Sequence, residues 1–185
     1  MFSDISFADL PGPFPAGLDF PAYRRIVHTA SPMRDEARPR AFLASLALRP
    51  SSMLLWHAEL SAIVLPFTCD DGTGLFGCRR YVIAPDGALV DIVDSGSSEG
   101  AAVLFGKPVD AAVLAIEPLV ALKTSQAMGL PALACMDYRR FAYVEWPETM
   151  RDVFVSRSMH HTPERLALLA IESRKRGIAV HTMED

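Results

Sequence analysis

The second half of the chain is punctuated in a way that few folds accept. An apolar run, Val113 to Ile116, is followed by Pro118 and a helix-forming stretch to Met128. Gly129 closes that stretch, and a second apolar run, Pro131 to Met136, follows. Proline suits the first turn of a helix, where the amide it lacks would have no partner, and glycine accepts the left-handed backbone that ends one. The same grammar returns with the apolar run Val153 to Val155, then Thr162, Pro163 and Glu164, then Gly177 and the run Ile178 to His181. Thr162 is placed to cap this second helix. Glu164 sits at the positive end of its dipole, and Arg174, Lys175 and Arg176 at the negative end. Leu166, Leu169, Ala170 and Ser173 share one helical face. Strand–helix–strand repeated in this way predicts an α/β fold, with a mostly parallel sheet flanked by helices over residues 103–182.

The preceding segment reads differently. Ile63 to Cys69, Arg79 to Ala84 and Ala88 to Val93 are strand-like, separated by the turn at residues 70–74 and by Pro85, Asp86 and Gly87. Short turns between successive strands predict a small antiparallel β-meander over residues 54–94. A Ser/Gly loop, Asp94 to Gly100, separates it from the parallel core. Upstream, residues 40–48 read as a short helix with Phe42, Leu43, Leu46 and Ala47 on one face, ended by Arg49 and Pro50. Residues 1–39 carry Pro11, Pro13, Pro15, Pro21, Pro32 and Pro39. Prolines at that density predict an irregular arm laid over the core, followed by one domain at 40–185.

Half of the 185 residues are hydrophobic, which is enough to bury a core. A net charge of −4 excludes the strongly basic surface of a general duplex-DNA binder. Cys69, Cys78 and Cys135 form no CxxC pair, so neither a disulfide framework nor a zinc ribbon is indicated and a reducing cytoplasm is expected. Met1 to Phe20 lacks the basic and unbroken apolar regions of a secretory leader, and no window is apolar for the length of a membrane span. Contact with a membrane is expected only through a partner.

The stretch Val113 to Ala134 resembles the Toprim segment of plasmid- and phage-type primases. In that family an apolar strand leads into an acidic turn, and a helix ends in a Gln-Ala-Thr-Gly-Leu-Pro motif before an alanine-rich strand. Here Ala121, Leu122 and the run Gln126, Ala127, Met128, Gly129, Leu130, Pro131 align with it without a gap. The turn at Asp70 to Gly72 and the stretch from Arg80 to Gly87 resemble the family's meander. Trp146 to Val155 resembles the approach to its Asp-x-Asp strand. The resemblance covers residues 40–182 and implies an origin on a plasmid or phage.

The departures from the family bear on function. The resemblance implies that a Glu after the first strand and two Asp after a later one hold magnesium or manganese, hard cations that require oxygen ligands. Alignment puts Ile116 at the Glu position, with Glu117 next to it, and Ser156 and Ser158 at the Asp positions, with Arg157 between them. Two alcohols and a guanidinium make a poor cation site. No metal and no cofactor are therefore expected.

The resemblance then implies a binding and regulatory protein without primase chemistry. Its partner would be a DNA-processing or DNA-transfer protein, with weak contact to single-stranded nucleic acid. A fertility-inhibition role in conjugal transfer follows by analogy. The alternative is an altered-site nuclease or ATP hydrolase that uses Arg157, His160, His161 and Glu117. Arg139, Arg140, Arg157 and Arg165 are the candidate phosphate ligands, because guanidinium groups near aromatic side chains suit a nucleic-acid backbone. Each also has an ordinary reading as a solvated rim charge. His57, beside Trp56, reads as an exposed or structurally bonded side chain.

Overall fold

The computed structural model, described for residues 22–33, 36–70, 72, 74–136, 139–156 and 162–183, contains two five-stranded sheets. The first sheet is assembled from β1 (Ser31–Pro32), β2 (Leu55–His57), β3 (Ala62–Phe67), β4 (Gly77–Ile83) and β5 (Leu89–Gly96), in that order, with every neighbour antiparallel. The β4–β5 hairpin turns at Gly87, whose φ of 89° calls for glycine. Just beyond the turn a bulge shifts the register: Ile83 pairs with Leu89, but Val82 pairs with Asp91.

The second sheet contains β6 (Ala102–Phe105), β7 (Ala111–Ala115), β8 (Ala132–Cys135), β9 (Asp152–Ser156) and β10 (Ala179–Met183), in the order β10-β9-β7-β8-β6. β10, β9, β7 and β8 are parallel, and β6 joins antiparallel to β8. The α/β class, the meander and the mostly parallel sheet flanked by helices are thus as the sequence predicts. β6 is not among the strands read from the sequence. Its start is held by Thr68, just past β3, through paired main-chain bonds of 2.8 and 2.7 Å with Ala102.

The upstream segment also departs from expectation. Residues 22–39 are not an irregular arm: α1 (Ala22–Thr29) occupies the proline-free interval between Pro21 and Pro32. Tyr23, Ile26, Val27 and Ala30 line one face of this segment and pack on Leu55, Val64 and Cys78. α2 (Ala37–Ser45) starts earlier than its sequence reading and includes Pro39. A proline there is tolerated because first-turn amides have no partner within the helix. Residues 1–21, the rest of the expected arm, lie outside the described residues.

α3 (Pro118–Met128) and α4 (Pro163–Lys175) follow the predicted punctuation, with Gly129 at φ 69° closing α3 and Thr162 capping α4. One apolar layer lies between the two sheets. Leu65, Phe67 and Ile83 from the first sheet meet Val103, Val113 and Ala115 from the second, joined by Leu119 and Leu122 of α3. Leu114, Leu133, Val153 and Val155 point to the other face, where Leu169 of α4, Phe141, Trp146 and Met150 cover them. Two side chains fasten loops to this frame. Gln126 pairs with the main chain of Arg49 through both its amide oxygen and its amide nitrogen, each at 2.8 Å, and Arg176 donates to the carbonyls of Val144 and Trp146. No described helix is long and apolar enough to cross a membrane.

Candidate functional site

β7 leads through α3 to β8 on one side, while β9, on the other side of β7, leads through α4 to β10. Right-handed crossovers running in opposite directions place their helices on opposite faces, as α3 and α4 are here. The carboxyl ends of β7 and β9 therefore diverge at a topological switch point, the position where open α/β sheets form their crevice. Leu114 and Val155 are the last residues that pair between these two strands. Glu117 lies just beyond one strand, and Ser156 ends the other.

Both oxygens of the Glu117 carboxylate have partners. One oxygen accepts from the amide of Val120 at 2.9 Å and so caps α3. The other accepts from the phenol of Tyr81 and lies 3.6 Å from a guanidinium nitrogen of Arg79. Tyr81 and Arg79 come from β4, two positions apart and hence on one face of the first sheet. Opposite Arg79, in register on β5, Asp94 accepts two hydrogen bonds from its guanidinium, both 2.8 Å. Tyr81 is only 1% exposed, and burial together with the neighbouring Glu117 charge pushes its pKa well above the ordinary value, so it remains a neutral donor. Burial alone would lower the pKa of Arg79, but the bond to Asp94 reverses this and keeps the cation. The result is a chain of charge-assisted bonds from β5 through β4 to the first turn of α3, tying the two sheets together.

These residues do not fit a divalent cation. An ion at Glu117 would compete with a phenol, a helix amide and a guanidinium for the carboxylate, and Ser156 would offer it a neutral hydroxyl. Ser156 is 1% exposed, and its Oγ has no hydrogen-bond partner among the described residues. Among the described residues no three His, Cys, Asp or Glu side chains converge as a metal site.

The other predicted residues are dispersed. Ile116 packs against the α4-side apolar layer. Arg140 donates to the Gly100 carbonyl at 2.9 Å and pairs with Asp70 at 3.3 Å, which joins the meander turn to the segment after β8. Arg139 is exposed beside Arg140 in the same turn, and Arg165 is half-buried in the first turn of α4. Arg157, Ser158, His160 and His161 lie outside the described residues. Of the two readings of His57, the structure shows the bonded one: it is buried, accepts from the Leu60 amide through Nδ1 and bonds the Thr29 hydroxyl at 2.8 Å. The partners of Glu117 were not anticipated. The alternation of Arg79 and Tyr81 on one strand was the available signal.

No protein-family model matches this chain, and no curated protein matches it.

Proposed function

We propose that this chain is a mobile-element protein on a degenerate, primase-derived Toprim scaffold. It binds a DNA-processing or DNA-transfer partner, with weak contact to single-stranded nucleic acid, and restrains replication or conjugal transfer without primase chemistry. The observation that supports this reading is the Glu117 carboxylate. At the switch point, where a nucleotidyl-transfer enzyme needs free acidic ligands, it is engaged by Tyr81, Arg79 and the α3 amide. The α/β class of the fold is one the resemblance requires, and a net charge of −4 favours a protein partner over duplex DNA.

Two measurements test it. Expressed in donor cells carrying a conjugative plasmid, the chain lowers transfer frequency, and Glu117→Gln retains the effect. Purified protein with magnesium or manganese neither nicks supercoiled plasmid nor hydrolyses ATP. Metal-dependent nicking that Glu117→Gln abolishes would overturn the reading. Nicking or ATP hydrolysis lost in Arg157→Ala and His160→Ala would establish the altered-site hydrolase instead.

A further inference from the structure

β5 is the outermost strand of the first sheet: β4 pairs along one side, and no described strand pairs along the other. Natural edge strands are kept short or carry lysine or proline to discourage pairing. β5 has neither residue, and after the bulge it runs in unbroken register from Asp91 to Gly96. Leu89, Val90 and Ile92 are 43%, 65% and 46% exposed. Three large apolar side chains in water on one strand form a row that an added strand would cover.

Charge selects the kind of strand. From Gly87 to Gly100 the chain carries Asp91, Asp94 and Glu99 and no lysine or arginine. Asp94 is already paired with Arg79, which leaves Asp91 as the anion on the strand itself. The Ile92 amide, moreover, is held by the carboxylate of Asp91 at 2.8 Å. A carbonyl from an incoming strand can take that amide and release Asp91 to pair with a cation opposite it.

We propose that β5 docks an extended protein segment of alternating apolar and Lys/Arg residues, which adds to the first sheet as a further strand. A phosphate backbone is repelled by this edge. A second copy would bring the same aspartates and no cation, so charge favours a basic partner over self-pairing. Asp91 and Ile92 are not partners of Glu117, and the test reads peptide binding, not transfer or nicking, so its outcome is distinguishable from that of the functional reading above.

The probe is a fluorescently labelled peptide of alternating valine and lysine as long as β5, compared with its valine–glutamate counterpart. The lysine peptide binds and the glutamate peptide does not, and hydrogen exchange slows at the Ile92 and Asp94 amides. Asp91→Lys weakens the lysine peptide by about tenfold and admits the glutamate peptide. Ile92→Lys, with an unchanged circular-dichroism spectrum, removes binding. Equal binding of both peptides, or protection confined to other strands, overturns the proposal. So does a free protein that sediments as a dimer and becomes a monomer in Ile92→Lys, because β5 would then belong to a second copy.

Discussion

Truncating Glu117 leaves two donors without an acceptor: the buried phenol of Tyr81 and the first-turn amide of Val120. Losing a helix cap costs about 1 kcal/mol, and a buried donor without an acceptor costs about 1–3 kcal/mol. Glu117→Ala should therefore lower stability by about 2–4 kcal/mol in urea denaturation. Tyr81→Phe should lower it by about 1 kcal/mol, and the double variant by less than the sum, because both changes remove one shared bond.

Cys78 gives a second residue-scale prediction. Burial pushes its thiol from 9.0 to about 11. The unfolded chain releases that proton first, so stability is intact below pH 9 and falls as pH rises from about 9 to 11, by up to about 2–3 kcal/mol. Cys78→Ala should flatten this part of the pH–stability curve. The raised phenol of Tyr81 adds a further loss at higher pH in the same sense. At this scale the sequence exposes Glu117 but hides its partners. Counting back from the turn, where the Ala84 amide bonds the Ala88 carbonyl, would set Arg79 opposite Val93. The extra residue at the bulge sets it opposite Asp94 instead and turns the carboxylate to the face of Arg79.

Among elements, the β4–β5 hairpin and the end of α3 respond differently to the same substitution. A Cβ on Gly96, at φ 90°, would overlap the Phe76 carbonyl and the Cα of Gly77. Gly129, at φ 69°, has nothing within 4 Å of such an atom. Gly129→Ala should cost only about 1 kcal/mol, the price of the left-handed backbone. Gly96→Ala should cost more than twice as much, because backbone must move, and thermal melts of the two variants would separate them. Helices α3 and α4 were legible because proline and glycine mark their ends by local physics. α1 was not, since its proline-rich surroundings obscured the i, i+3, i+4 spacing of Tyr23, Ile26 and Val27. β6 was missed because its pairing partners, Thr68 and β8, lie far from it in sequence.

At the scale of the molecule, Trp56 belongs to the apolar layer between the sheets and Trp146 to the layer under α4. The second sheet contributes side chains to both layers, so both should be lost together. Single-tryptophan variants, Trp56→Phe and Trp146→Phe, should give the same urea midpoint relative to their own circular-dichroism transition. A fluorescence midpoint displaced from the circular-dichroism midpoint in either variant would show that the layers unfold apart. The two architectures, meander and parallel core, were legible from turn length and helix punctuation. Their shared layer was not, because no local pattern tells one sheet that it faces another. The switch point followed only once the strand order was known.

The main-chain pair between Thr68 and Ala102 spans the Ser/Gly loop that separates the meander from the parallel core. A protease nick in the loop at residues 97–100 would sever the peptide and leave that pair, the Arg140 clasp on Gly100 and the buried layer in place. The two pieces should therefore elute together from a gel-filtration column and part only in denaturant, as complementing fragments and not as independent modules.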